Sequence, residues 1–312
     1  MTEQTPIVFI IFNRPDLTQK VLDRIRLYRP EILYVIADGP RESIASDRDL
    51  CLKTRRIIET IDWPCELVKD YSEENLGCRM RVSSGITNVF AQFSRAIILE
   101  DDCVPHPDFF PYCHELLDRY AEEQRVMHIS GTPLAACVES SDYSYYFIQS
   151  PLVWGWATWS RAWAHYDVTA SRWEQEKQQV LDVMEINSTI KTAICRVIDR
   201  ARTGQLDTWD FQWLACILMH NGLCAAPKYN MIENIGFDER ATHTRKTDDP
   251  RCRIPASSIG FPLRHPPVPE LDRPRSLAWF KETFPAKKTY WQKLGRKLRK
   301  HMKWMGSGNS GF

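Results

Sequence analysis

Short apolar runs alternate with amphipathic segments along the first third of the chain, and this alternation restricts the fold more than any other feature. Runs rich in β-branched or aromatic residues predict buried strands at 6–12, 32–37, 65–69 and 96–99. Apolar residues at helical spacing predict helices at 16–27, 50–61 and up to 93. Strands that alternate with helices require a parallel sheet joined by right-handed crossovers. The sequence therefore predicts an α/β fold with a Rossmann-like, mostly parallel sheet flanked by helices.

The run at 96–99 ends abruptly in three consecutive carboxylates, Glu100, Asp101 and Asp102. Three adjacent acids repel one another unless a cation lies among them. A hard divalent cation, bound by carboxylate oxygen, water and substrate phosphate, is the usual solution. The alternative is a polar exit from the strand, with Asp102 capping a turn before Pro105.

Polar loops also follow the other three predicted strands, at Asn13, Asp38 and Asn75. The carboxyl ends of parallel strands share one edge of a sheet, which is where open α/β sheets bind their ligands. We therefore expect these loops and the acidic triplet to form one site.

The composition excludes several classes of protein. The net charge of +1 argues against a nucleic-acid binder. No apolar run approaches the roughly 20 residues that span a bilayer, and the N-terminus lacks the pattern of a signal peptide. The ten cysteines form no C-x-x-C pair, which argues against a zinc knuckle or a disulfide framework. A reduced, cytoplasmic location is the expectation.

The second half of the chain contains four tryptophans between 154 and 163. Aromatic rings stack on sugars, and Gly155 would allow close approach of a ligand, so we assign Trp156 to the site and the other three to packing. Further elements are predicted as strands at 127–130 and 143–149 and helices at 109–120, 175–184, 190–203 and 207–221. The chain is loop-rich from 226, and the prolines between 262 and 274 predict an extended arm.

From about residue 6 to 243, the order of motifs resembles the nucleotide-diphospho-sugar glycosyltransferases of the GT-A fold. The likeness is greatest to the N-acetylglucosaminyltransferases that initiate complex N-glycans and to family-2-like bacterial transferases. It is carried by Arg14, Asp38, the acidic triplet with the following Pro-Asp-Phe-Phe, Gly155-Trp156, Trp209-Asp210, Gly236-Phe237 and His243. The resemblance implies a nucleotide-sugar half at 1–130, an acceptor and catalytic half at 131–260, and a C-terminal arm and tail at 261–312.

The resemblance also implies roles for individual residues. Asp102 would bind Mn²⁺ or Mg²⁺, and His243 would add a metal or phosphate contact unless it is a solvated loop histidine. The implied nucleotide-sugar contacts are Phe12, Asn13, Arg14, Asp38, Asn75, Gly77, Arg79, Glu100, Asp101 and Trp156. For Arg14 the alternative is an ordinary helix-start residue. Asp38 is implied to accept a hydrogen bond from uracil. The alternative for Asp38 is an ordinary Asp-Gly turn.

Asp210 is the implied general base, which would remove the acceptor proton and give inversion at the anomeric carbon. Flanking aromatic residues could raise its pKa by desolvation. The alternative is helix-start chemistry, with Asp207 as N-cap and Asp210 in the first turn. Asp207 is the second candidate for the base.

A basic tail follows. Eight cations and no acid lie between 287 and 303, and Trp291, Leu294, Leu298 and Met302 share one helical face. This pattern is typical of a helix that binds an anionic membrane surface, although a solvated helix or an RNA contact is the alternative.

These observations together favour a metal-dependent, inverting glycosyltransferase that transfers a sugar, from a UDP-sugar by preference, to a glycan or glycolipid acceptor. A sugar-nucleotide nucleotidyltransferase is a second hypothesis, but residues 13–17 lack the glycine that its phosphate loop needs. A non-enzymatic membrane-binding protein acting through the basic tail is a third. The expected location is cytoplasmic, with peripheral contact to the inner membrane face.

Overall fold

The computed structural model describes residues 4–133, 142–237 and 254–284. His243 and the basic segment 287–303 lie outside the described residues. The strands are β1 (Ile7–Ile11), β2 (Ile32–Ala37), β3 (Glu66–Tyr71), β4 (Arg95–Glu100), β5 (Cys103–Pro105), β6 (Val126–Ser130), β7 (Tyr145–Ile148), β8 (Trp156–Trp159), β9 (Leu223–Pro227) and β10 (Ile232–Asn234). The helices are α1 (Pro15–Tyr28), α2 (Asp47–Ile58), α3 (Gly77–Phe90), α4 (Phe109–Arg119), α5 (Ser160–Trp163), α6 (Trp173–Val183), α7 (Ser188–Arg202), α8 (Asp210–Met219) and α9 (Arg273–Thr283).

Eight of these strands form one sheet in the order β3-β2-β1-β4-β8-β6-β9-β7. The pairs β1–β2, β2–β3, β1–β4 and β6–β9 are parallel. β8 is antiparallel to β4 and to β6, and β7 is antiparallel to β9. Six strands therefore run in one direction and two in the other. The predicted α/β fold with a mostly parallel sheet is confirmed.

The sheet is buried on both faces because helices cover each of them. Alternate residues of β1 face opposite sides of the sheet. Ile7, Phe9 and Ile11 pack with residues of α1 and α4, whereas Val8 and Ile10 pack with residues of α3 and α8. A third cluster joins α6, α7, α8 and α9. Continuous apolar strands are what a sheet covered on both faces requires.

Four short or late strands were not predicted: β5, β8, β9 and β10. β10 pairs with β5 in antiparallel fashion, with Asn234 opposite Cys103. The Ile235 N–H also donates to the backbone oxygen of Asp102 at 2.9 Å. This pairing brings the chain around 232–237, expected to be loop, directly onto the acidic triplet.

A helix that was not predicted, α9, begins at the end of the proline-rich segment. The Asp272 side chain accepts a hydrogen bond from the Arg275 N–H at 3.0 Å, and Pro274 lies in the first turn of α9. A capping aspartate followed by proline is a helix-start signal, because proline lacks a donor that the first turn does not need. Among the described residues, no helix is both long and apolar enough to cross a membrane.

Candidate functional site

A cavity of about 270 Å³ lies at the carboxyl ends of β1, β2 and β4. The sheet edge predicted to carry the site is therefore where the cavity opens. Nine of the predicted site residues line it: Phe12, Asn13, Arg14, Asp38, Asn75, Gly77, Glu100, Asp101 and Asp102. Its other lining residues with polar or charged side chains include Arg41, Arg81, Asp207 and Asn234.

A side-chain cation lies among the three acids. Arg14, at the start of α1, forms ion pairs through Nη2 with Asp101 Oδ1 and through Nη1 with Asp102 Oδ2, the latter at 3.0 Å. The Arg14 side chain is 16% exposed. Burial disfavours its charge, but the carboxylates of Asp101 and Asp102 more than compensate and raise the pKa of Arg14. The repulsion that the sequence predicted is therefore partly offset by the protein itself.

One arginine does not neutralise three carboxylates. Burial, followed by the charges of Asp102 and Asp101, raises the pKa of Glu100 to about 8. Burial also raises the pKa of Asp101, although Arg14 opposes the shift. The triplet therefore retains a strong affinity for further positive charge.

The triplet also has an oxygen without a hydrogen-bond donor. Asp101 is 3% exposed, and its Oδ2 is buried with no partner, whereas its Oδ1 is bound by Arg14. No group of three or more His, Cys, Asp or Glu side chains suited to a metal occurs within the part of the chain that the structure describes. The acidic oxygens present are nevertheless the ligands that Mg²⁺ and Mn²⁺ prefer, and such ions usually complete their shell with water and phosphate. The residues fit a divalent cation that is bound together with a phosphorylated ligand.

The backbone at Gly236 lies close to the Asp102 carboxylate. A Cβ atom on Gly236 would lie 2.0 Å from Asp102 Oδ2. The Gly236 N–H donates to Asn234 Oδ1 at 2.9 Å, which holds this backbone in place. Glycine is required here because the backbone packs against the carboxylate. Gly236 was identified from the sequence as part of a motif, but nothing in the motif indicated this contact.

Asp38, at the end of β2, is fully hydrogen-bonded. Its Oδ1 accepts from the N–H groups of Gly39 and Leu76, both at 2.9 Å. Its Oδ2 accepts from Asn75 Nδ2 and the Gly77 N–H, both at 3.0 Å. A carboxylate has about four acceptor sites, so none remains for a uracil N–H in this arrangement. Asp38 instead ties β2 to the loop that begins α3, which corrects the predicted contact with a base.

Arg41 is a cavity residue that the sequence analysis missed. Its guanidinium pairs with the buried Asp47, with Nε–Oδ2 at 2.5 Å and Nη2–Oδ1 at 3.0 Å. It also lies over the Phe12 ring, 5.3 Å from the ring centroid. Asn13 Nδ2 donates to the same carboxylate at 2.8 Å. The only sequence signal was a basic residue three positions after a strand-ending aspartate, which is too common to be informative.

The two candidate bases occupy different environments. The Asp207 carboxylate lines the cavity and accepts the N–H groups of Cys78 and Arg79 at 3.0 and 2.9 Å, so it caps α3 rather than α8. Asp210 begins α8 and accepts from Thr208 Oγ1 and from the Phe211 N–H, the latter at 2.9 Å. Asp210 does not line the cavity, but its charge contributes to the raised pKa of Glu100 and of the Cys78 thiol. It therefore lies just behind the cavity wall.

The structure reverses the assignment of the tryptophans. Trp156 is fully buried and stacks against Trp209 and His128, with ring centroids 5.3 and 5.0 Å apart. It belongs to β8, which is inserted between β4 and β6, so its side chain enters the core rather than the cavity. Trp154, assigned to packing, lines the cavity and contacts Phe237 edge to face at 5.5 Å.

Arg79 also lies away from the cavity lining. Its backbone N–H is bound by Asp207, and its guanidinium lies close to Gly204 in the turn after α7. Arg81, two residues further, is the α3 arginine that lines the cavity. Its Nε donates to the Ala37 backbone oxygen at 3.0 Å, and its guanidinium pairs with Asp70 at 2.6 Å. The helical spacing in α3 turns the two arginines to different faces.

Comparisons with known proteins find distant similarity to solved structures alone. No protein-family model matches the chain, and a comparison with curated proteins finds no match. Among solved structures, a mannosyltransferase from Pyrobaculum calidifontis in complex with GDP-Man and Mn²⁺ is 13% identical, with a TM-score of 0.37 over 70% of this chain and 71% of that one. A cytidylyltransferase from Leptospira borgpetersenii is 8% identical, with a TM-score of 0.33 over 67% and 75% of the two chains. A UDP-glucose pyrophosphorylase complexed with UDP-glucose is 8% identical, with a TM-score of 0.36 over 72% and 90%.

Proposed function

We propose that this protein is a metal-dependent, inverting glycosyltransferase that uses a nucleoside-diphosphate sugar, with a UDP-sugar as the preferred donor. The observation that carries the proposal is the acidic triplet at the carboxyl end of β4, which faces a cavity and retains a buried carboxylate oxygen without a partner. A site that must bind a diphosphate needs positive charge, and this site is built to attract it. The acceptor is a glycan or a glycolipid.

Asp102 and Asp101 would hold the divalent cation, whose chemistry when bound is to neutralise charge on the leaving diphosphate. Arg14 supplies a second positive charge at the same wall of the cavity. Phe12, Asn13 and Arg41 form the adjoining wall, where the nucleoside would lie. Asp38 and Asn75 shape that wall through the hydrogen bonds between them rather than by binding the base.

Asp210 is the proposed general base. It would take the proton of the acceptor hydroxyl as that oxygen attacks the anomeric carbon and the nucleoside diphosphate leaves from the opposite face. Its support is its position behind the cavity wall, where the partly buried carboxylate lies close enough to Glu100 to affect its pKa. Asp207 is less suited, because both of its oxygens already accept N–H groups at the start of α3.

The nucleotidyltransferase hypothesis meets an obstacle in the β1–α1 turn. Only residues 12–14 separate the end of β1 from Pro15, the first residue of α1. This turn contains no glycine, and its arginine is engaged by Asp101 and Asp102. A phosphate loop needs several backbone N–H groups to converge on the triphosphate, and a three-residue turn that leads into proline offers few.

Product analysis separates the two enzymes. The protein is incubated with UDP-, GDP- and TDP-sugars, with and without Mn²⁺, and separately with nucleoside triphosphates and sugar 1-phosphates. We expect Mn²⁺-dependent release of a nucleoside diphosphate from one donor. Release of pyrophosphate from the second mixture, with no cleavage of any donor sugar, would replace the glycosyltransferase by a nucleotidyltransferase.

We also propose that the basic segment 287–303 binds an anionic membrane surface and so brings the enzyme to a glycolipid acceptor. The support is the sequence pattern, in which each cation near such a surface contributes about 1 kcal/mol. Removal of residues 290–312 should abolish sedimentation with anionic vesicles while leaving UDP binding intact. Unchanged sedimentation of the shortened chain would exclude this role.

A further inference from the structure

We infer that Arg14 is an internal competitor of the divalent cation: its guanidinium occupies Asp102 until the metal displaces it, and the released Nη1 then becomes available to a phosphate. The inference rests on the proposed metal-dependent function and adds a positioning role for one residue. It concerns the order in which positive charges occupy the triplet.

The two ion pairs of Arg14 differ in how deeply their carboxylates are buried. Asp101 is 3% exposed, so its pair with Arg14 Nη2 is enclosed. Asp102 is partly exposed to the cavity, and its pair with Nη1 is the longer one at 3.0 Å. A cation entering from the cavity therefore meets the Asp102 contact first, while Asp101 continues to hold the other end of the guanidinium.

The backbone of Arg14 is fixed, so the exchange requires only the side chain to move. The Arg14 carbonyl accepts from the N–H groups of Leu17 and Thr18 and from Thr18 Oγ1. The Gly236 backbone lies close to Asp102 Oδ2 and leaves little room for the carboxylate on that side. Two cations thus compete for one carboxylate, and the affinity for metal is reduced by the occupancy of the arginine.

Titration of the nucleotide-free protein with Mn²⁺ alone tests the competition. Free Mn²⁺ is followed by electron paramagnetic resonance in the parent protein and in Arg14→Met, which keeps most of the side-chain volume without the charge. We expect Mn²⁺ to bind Arg14→Met at least about tenfold more tightly, since removal of one neighbouring unit charge has this effect even at the dielectric constant of water.

Arg41→Met is the matched control, because Arg41 lines the same cavity but pairs with Asp47 instead of the triplet. Its Mn²⁺ affinity should stay within about threefold of the parent value. Arg14→Lys is the second variant, in case Arg14→Met does not fold. A single ammonium group cannot bridge two carboxylates in the way a guanidinium does. The Mn²⁺ affinity of Arg14→Lys should therefore lie between that of the parent and that of Arg14→Met.

A second readout follows the arginine itself. Modification of arginines by phenylglyoxal, located by mass spectrometry, should become several-fold faster at Arg14 when Mn²⁺ is saturating and should not change at Arg41. Equal Mn²⁺ affinity in the parent, Arg14→Met and Arg14→Lys, or an unchanged reactivity of Arg14 at saturation, would overturn the inference. If no variant and no parent binds Mn²⁺ even with UDP present, the proposed function itself fails, and the two failures are thereby distinguished.

Discussion

Asp38 and the acidic triplet both face the cavity, but they differ in how completely their oxygens are hydrogen-bonded. Asp38 accepts four hydrogen bonds, two on each oxygen, and all come from its own turn or from the loop that begins α3. In the triplet, one arginine serves two aspartates and one buried oxygen has no partner. The oxygens of Asp38 are satisfied by protein donors alone, whereas the triplet retains a buried oxygen that no protein donor satisfies. Counting acceptors thus separates a carboxylate that joins two segments of the chain from carboxylates that we propose to bind a cation.

Asp207 and Asp210 also differ, because Asp207 caps α3 whereas Asp210 begins α8, and this difference gives the largest predicted effect. Asp210→Asn should lower transfer by about two to four orders of magnitude, the usual contribution of a positioned general base, with melting temperature and UDP affinity unchanged. Asp207→Asn should instead cost about 1 kcal/mol of stability, because it weakens a helix cap, and should change transfer only slightly. Steady-state rates and thermal melts of both variants check this. A folded Asp210→Asn protein with near-parental turnover would move the role to Asp207.

Asp38→Ala should produce the largest loss of stability. Its removal leaves four donors without their acceptor, and we expect about 2–3 kcal/mol of destabilisation, since some of those groups can reach water. Asp102→Ala is the comparison, and its stability should stay within about 1 kcal/mol of the parent because relief of repulsion offsets the lost ion pair. Urea denaturation measures both. Equal losses of stability in Asp38→Ala and Asp102→Ala would show that Asp38 and the triplet do not differ in this way.

Much of this architecture could be predicted from the sequence, because it follows from local patterns. The strand at Ile32–Ala37 was predicted with its observed bounds, and the first four strands and the sheet edge that they share were predicted from apolar runs and the breaks after them. Residues that reach the site from those breaks, such as Arg14 and Asp102, were found for the same reason.

What could not be predicted depends on tertiary contacts. Trp156 looked like a ligand contact because nothing local reveals that β8 is inserted between two other strands. Asp207 looked like the cap of the helix that follows it, yet it caps α3 from more than a hundred residues away. The four donors to Asp38 come partly from a loop after the next strand, so its saturation was equally hidden.

A smaller effect is expected where the backbone supports the triplet. Gly236→Ala should weaken Mn²⁺-dependent UDP binding by about tenfold, because the new methyl group must displace the Asp102 carboxylate. Gly260→Ala is the control: its φ of +76° makes the substitution strained, but no atom lies within 4 Å of the added Cβ. It should lose about 1 kcal/mol of stability and keep its UDP affinity. Calorimetric titration distinguishes the two.

The smallest predicted effect concerns Asp47, a carboxylate that accepts hydrogen bonds from other side chains of the protein. Although burial opposes the shift, hydrogen bonds from Arg41 and Asn13 lower the pKa of Asp47 below its usual range. A depressed pKa contributes stability above the unfolded-state value, near pH 4, and this contribution is lost as the pH falls through the folded-state pKa. The stability difference between the parent and Asp47→Asn should therefore be constant above about pH 5 and shrink at lower pH. A difference independent of pH down to 2 would contradict the ionic role.

The central claim is that the acidic triplet binds a nucleoside diphosphate through a divalent cation, and titration of UDP into the parent and into Asp102→Asn tests it most directly. With Mn²⁺ present, the variant should bind UDP about 100-fold or more weakly than the parent, since a carboxylate ligand has been replaced by a neutral amide. Without metal, the variant should bind UDP no more weakly than the parent, because the substitution removes a negative charge and frees one end of Arg14. Equal affinity in the presence of Mn²⁺, in a variant that folds like the parent, would contradict the account.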